Sequence, residues 1–193
     1  MLNRIVPGVF FLSGVLMAAD VVAGTVQVEM TVRETDVVVN NAGETRPMWT
    51  YDGTIPGPVV RVRQGDTVEF TMHNHPDNGN SHSMDFHAAQ VDVLDEFADV
   101  SPGETHRYEF RADYPGVFIY HCGSEAMSEH ISRGMYGVII VDPAGGYGED
   151  WPGPDGEYVL VQGDLFEAGT SAEDITAGNR WEAALINGKV FHY

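Results

Sequence analysis

The 193-residue chain is nearly devoid of sulfhydryls and of lysine, with one cysteine, Cys122, and one lysine, Lys189. A lone cysteine excludes an internal disulfide framework. In an oxidising compartment such a thiol is a liability unless something occupies it. Only 10 basic residues stand against 29 acidic ones, for a formal net charge of −19. That balance repels nucleic acid and anionic membranes, whose phosphates have to be neutralised by Lys and Arg. No nucleic-acid partner is expected. An acidic, lysine-poor coat suits a halophilic protein, because strong salt screens the repulsion between surface charges. An acidic protein from an ordinary source has the same composition. Also missing are a Gly-rich nucleotide fingerprint behind a strand, a G-x-S-x-G elbow and an H-E-x-x-H pair. Gly53, Gly57 and Gly65 read as turn residues.

Long apolar runs are scarce too. The longest, Ile5–Ala19, follows Arg4 and runs into small residues at Ala18, Ala19, Ala23 and Gly24. Broken by Pro7 and Gly8, it is short for a membrane span. Residues 1–24 therefore read as a secretory leader, which places the mature protein in the periplasm, outside the cell or on its surface. A buried first strand or an uncleaved anchor is the alternative.

What the chain does contain is alternation. In "TVQVEMTVRETDVVV" (25–39), Val26, Val28, Met30 and Val32 share one parity, as in a half-buried strand. Further strands are expected at Val59–Val62, Val68–Met72, 105–112, 116–122 and 135–143, separated by Gly, Pro and Asp. Short strands without a sustained helical period predict an all-β fold, an antiparallel Greek-key sandwich over 25–143. The stretch 144–157, rich in Gly, Pro and acid, reads as a linker. "YVLVQGDLF" (158–166) opens a new strand, and 158–193 is too short to close a second sandwich. The expectation is the front part of a longer two-domain protein.

The single thiol lies in "YHCGSEAMSEHISRGMYG" (120–137). Thiolate, imidazole and thioether together suit copper, and two His, one Cys and a weak axial Met make a blue-copper electron-transfer site. Cys122, His130 and Met135 come from this loop, and "SHSMDFHAA" (81–89) offers His82 as the fourth ligand. Parity then divides the remaining candidates. His121 and Cys122 are neighbours, so on a strand their side chains leave opposite faces. His82 and His87 also differ in parity, whereas Asp85 and His87 share it. Cys122 and His82 can thus meet at one metal inside the sandwich, and His121, His87 and Asp85 at a second across the sheet.

Other histidines carry less. His73 and His75 sit where a strand end runs into a turn. His106 and His192 lack partners in sequence. Met127 reads as packing or as a lid. Arg133, Glu125 and Glu129 read as solvated, or as part of a docking surface for a redox partner.

The segments "DGTIPGPVVRVRQGDTVEF", "HSMDFHAA", "PGVFIYHCGSEAMSEHISRGMYGVIIVDP" and "INGKVF" resemble the first domain, and the start of the second, of copper-containing nitrite reductases. Related two-domain multicopper oxidases share these motifs. The resemblance implies a cupredoxin fold. It implies type 1 copper on His82, Cys122, His130 and Met135, with His87 and His121 as two ligands of a type 2 copper. Asp85 would be the catalytic aspartate that hydrogen-bonds nitrite and relays a proton. A homotrimer is implied, each type 2 copper lying between one subunit's first domain and a neighbour's second.

The expected activity is one-electron, two-proton reduction of nitrite to nitric oxide, fed by a small redox protein. Two departures stand out: "HCG" and "HAAQVDVLDEF" replace the "HCA" and Gly-rich stretch common in those reductases. The alternatives are a laccase-like two-domain oxidase that reduces dioxygen and a blue-copper electron carrier without catalysis.

Overall fold

In a computed structural model, residues 23–148 and 157–190 are described; most of the leader, residues 149–156 of the linker and His192 lie outside them. Two four-stranded sheets form a sandwich. The first has the order β2-β1-β4-β6, built from β1 (Thr25–Val38), β2 (Thr45–Tyr51), β4 (Thr67–Asn74) and β6 (Thr105–Arg111). The second has the order β3-β8-β7-β5, built from β3 (Val60–Arg63), β5 (Asp85–Phe86), β7 (Gly116–His121) and β8 (Tyr136–Asp142).

The alternation in the sequence explains the layering. On β1, Met30 and Val32 are buried while Gln27 and Glu29 face solvent. On β4, Val68, Phe70 and Met72 are buried. They meet Phe86, Tyr120, Ile139 and Val141 from the opposite sheet in one core. Phe70 and Phe86 stack edge to face at 5.1 Å across that core. Each such side chain contributes about 1.5–3 kcal/mol of burial.

Two pairings differ from the antiparallel expectation, since β1 runs parallel to β4 and β3 parallel to β8. After β2 the chain leaves for the second sheet as β3 and returns as β4 alongside β1. That crossover lets strands distant in sequence run the same way. The β2 strand was not expected from the sequence, and neither were the three short helices α1 (Val93–Glu96), α2 (Met127–Ser132) and α3 (Ala172–Thr176). Four to six residues are too few to show a helical period.

The strand expected from residue 158 begins at Gln162. β9 (Gln162–Phe166) pairs with β10 (Trp181–Ile186) in a separate hairpin. Leu165 and Leu185 pack with Val39, Met48, Ile55 and Tyr136 in a second, smaller core.

Candidate metal centres

Residues 81–84 are not a strand, yet they are firmly placed. The His82 backbone exchanges hydrogen bonds with Val100, at 3.1 and 2.8 Å. The Tyr51 hydroxyl donates to the Ser83 carbonyl at 2.7 Å, and the Tyr108 hydroxyl to the Met84 carbonyl at 2.9 Å. His82 is thereby held fully buried against the end of β7. Cys122 follows β7 directly, and its N–H donates to the Met135 carbonyl at 3.1 Å. The Met135 N–H in turn donates to the His130 carbonyl at 3.1 Å. α2 carries His130 back over the thiol.

Three of the four predicted first-site donors come together. The ligand atoms of His82, Cys122 and His130 lie within 4.8 Å of one another, all buried. Nδ1 of His130 is 3.2 Å from Cys122 Sγ and 3.2 Å from Nδ1 of His82. Met135 is fully buried and bonded through its backbone to both Cys122 and His130. Burial pushes the Cys122 thiol up, but hydrogen bonding, from His130 foremost, more than reverses this and leaves it at about 5. The Ser83 N–H adds a further donor to Sγ at 3.3 Å. The group is therefore a thiolate at neutral pH, the form that binds metal. Burial lowers the pKa of His130, and the hydrogen bond to that thiolate raises it above its ordinary value.

The second predicted cluster also assembles. Asp85, His87 and His121 bring their ligand atoms within 4.8 Å. β5 pairs with β7 so that Asp85 lies opposite His121. The Nε2 atoms of His87 and His121 are 3.0 Å apart, and Asp85 Oδ2 is 3.5 and 3.7 Å from them. His121 Nδ1 is 3.0 Å from the Cys122 carbonyl, which can only accept, so Nδ1 carries a proton and, in the neutral ring, Nε2 is the bare nitrogen. This cluster is more open than the first, with the His87 side chain 45% exposed. Val117 and Ile119 share the strand face of His121 and are 70% and 50% exposed.

The donor chemistry of each cluster fits copper. Two imidazoles and a thiolate form the soft set of an electron-transfer site, which a weak thioether ligand such as Met135 completes, and imidazoles beside a carboxylate with room left over suit a catalytic one. The other described histidines are engaged elsewhere. His73 contacts Glu29 and Thr105, His75 accepts from the Asp77 N–H, and His106 meets the Asp95 carbonyl.

Three residues at the first site had not been singled out from the sequence. Trp49 packs edge-on against both imidazoles, at 5.4 Å from His82 and 4.7 Å from His130, under the Arg133 guanidinium. Ser83 contacts Sγ. Glu34 lies 3.1 Å from His82 Nε2. Glu34 left a signal in the sequence, because it continues the inward parity of Met30 and Val32, where an acid needs a partner.

The two departures in the sequence explain each other. A Cβ added at Gly123 would lie 2.1 Å from Phe97. The bulky ring of the 88–97 stretch thus occupies the space an alanine after Cys122 would need.

The profile of the multicopper oxidase family matches residues 31–146. The copper-containing nitrite reductase of Neisseria meningitidis serogroup B is 40% identical over 145 residues, which is 75% of this chain and 36% of that protein. The solved copper nitrite reductase from Nitrosomonas europaea superposes with a TM-score of 0.81 at 52% identity, covering 88% of this chain and 58% of that one. A crystal structure of a multicopper oxidase superposes with a TM-score of 0.74 at 26% identity, covering 88% and 56%. The chain thus spans about a third of the length of the curated relative and somewhat over half of each solved neighbour. With its sandwich fold, both donor clusters and the match over residues 31–146, the chain belongs to the multicopper oxidase family.

Proposed function

We propose that this chain supplies the first domain of an exported copper-dependent nitrite reductase. The carrying observation is a pair of donor clusters on either side of the His121–Cys122 peptide. His82, Cys122, His130 and Met135 hold the type 1 copper, and His87 and His121 supply two ligands of the type 2 copper. When bound, copper supplies one-electron redox chemistry at the first site and Lewis-acid activation of nitrite at the second.

The balanced reaction takes nitrite, one electron and two protons to nitric oxide and water, breaking one N–O bond. Asp85 stands beside both imidazoles of the second site, where its carboxyl can hydrogen-bond a nitrite oxygen and hand it one of the two protons. His121 Nδ1, bonded to the Cys122 carbonyl, keeps Nε2 free and ties the two sites together through one peptide. The electron arrives from a small redox protein.

Two imidazoles leave the second site incomplete. His87, Val117 and Ile119 stand exposed around it, and a neighbouring subunit's second domain in a homotrimer would cover them. Residues 158–193 open this chain's own second domain, and the leader in residues 1–24 directs export. The acidic surface fits a halophilic setting.

The family match also favours a second reading, a two-domain oxidase reducing dioxygen. Metal counting on the full-length protein separates the two. Two coppers per subunit with nitrite turnover supports the reductase, and four coppers with dioxygen consumption supports the oxidase. One copper without turnover would leave an electron carrier.

A further inference from the structure

We infer that Glu34 is the positioning residue of the first centre, its carboxylate fixing the orientation and tautomer of His82 and favouring the oxidised metal. The inference rests on the metal assignment proposed above. Glu34 lies on the inward face of β1, where an isolated charge is costly, and its side chain is only 20% exposed. Its Oε1 accepts from the Asn80 N–H at 2.9 Å and from Asn80 Nδ2 at 3.0 Å, and His82 Nε2 stands at 3.1 Å. The Glu34 N–H donates to Asn78 Oδ1 at 2.9 Å, while Asn78 Nδ2 donates to the Val32 carbonyl at 3.0 Å. The carboxylate is thus held from both its backbone and its head.

An ionised carboxylate can only accept, so His82 Nε2 carries a proton and, in the neutral ring, Nδ1 is bare. Nδ1 is the atom that faces His130 Nδ1 at 3.2 Å. A ligand histidine that donates its other nitrogen to a carboxylate becomes more basic and is held in orientation. His130, by contrast, meets the neutral backbone of Glu125. The full negative charge of Glu34 behind His82 stabilises the higher-charged metal more than the reduced one.

Glu34→Gln keeps the size and an acceptor oxygen while removing the charge. Cupric and cuprous affinities and the one-electron potential are to be measured on the full chain, wild type and variant. The variant is expected to bind cupric ion about 10- to 100-fold more weakly, with cuprous ion less affected. A tenfold differential raises the potential by about 59 mV.

Unchanged affinity and potential would overturn the inference, as would lower stability toward urea with an unmoved potential, the mark of a purely structural role. Should the variant fail to fold, nitrogen-15 NMR of the metal-free wild type decides. A proton on His82 Nε2 supports the inference and a bare Nε2 refutes it. A wild type that takes up no copper removes the metal assignment itself; a wild type that binds copper beside an indistinguishable variant sinks only the role of Glu34.

Discussion

His121 and Cys122 share one peptide bond yet serve two different clusters, and His121 Nδ1 closes on the Cys122 carbonyl at 3.0 Å. The end of a β-strand is where this is cheapest. Adjacent side chains leave opposite faces, so no extra chain is needed to join a buried site to an open one. The predictions below probe the two sides of that junction separately.

On the buried side, the Cys122 thiol of the metal-free chain should titrate near 5. The folded value is depressed below the ordinary 9.0, so the associated stability is present above that value and is lost as pH falls through 5. Urea midpoints of the metal-free chain should therefore rise between these limits, and the rise should disappear in Cys122→Ser. The same variant should lack the visible thiolate-to-copper band after copper is added.

On the open side, Asp85→Asn should leave that band and the copper of the first site unchanged. Nitrite turnover of the full-length protein should fall by about 10²–10⁴-fold, the usual worth of a positioned proton donor. Wild-type turnover in the variant would remove Asp85 from the mechanism.

Glu96 adds a second pH-dependent group behind Asp85. It is buried, and its Oε1 has no hydrogen-bond partner among the described residues. Burial, and then the Asp85 carboxylate, push it up to about 7 against an ordinary 4.5. With the folded value raised, its stabilisation is present below 4.5 and is lost as pH rises through 7. Glu96→Gln should be more stable than wild type above that pH, by about 1–3 kcal/mol, with the gap closing in acid. Chemical denaturation of both proteins across pH measures the difference.

Gly123→Ala should force Phe97 out of its place, because the new Cβ would stand 2.1 Å from the ring. Overpacking of this kind costs about 1–3 kcal/mol. The double variant with Phe97→Leu should recover much of the loss, and thermal melting of the single and double variants tests the coupling.

The Cys122, His130 and Met135 spacing was legible because those donors come from one short loop. The division into two clusters was legible as well, although the segment carrying His82 is not the regular strand that parity assumes. Val100, Tyr51 and Tyr108 fix that segment from outside. Neither β2 nor its Trp49 stood out, and α2 is too short to announce itself.

Local order along the chain thus settled which donor atoms are available and which sheet face each occupies, because strand geometry repeats every two residues. Folding settled what stands behind them: Glu34 on His82, Trp49 against both imidazoles, Phe97 over Gly123. These contacts join residues dozens of positions apart, and no local periodicity encodes a partner brought in by a crossover between sheets.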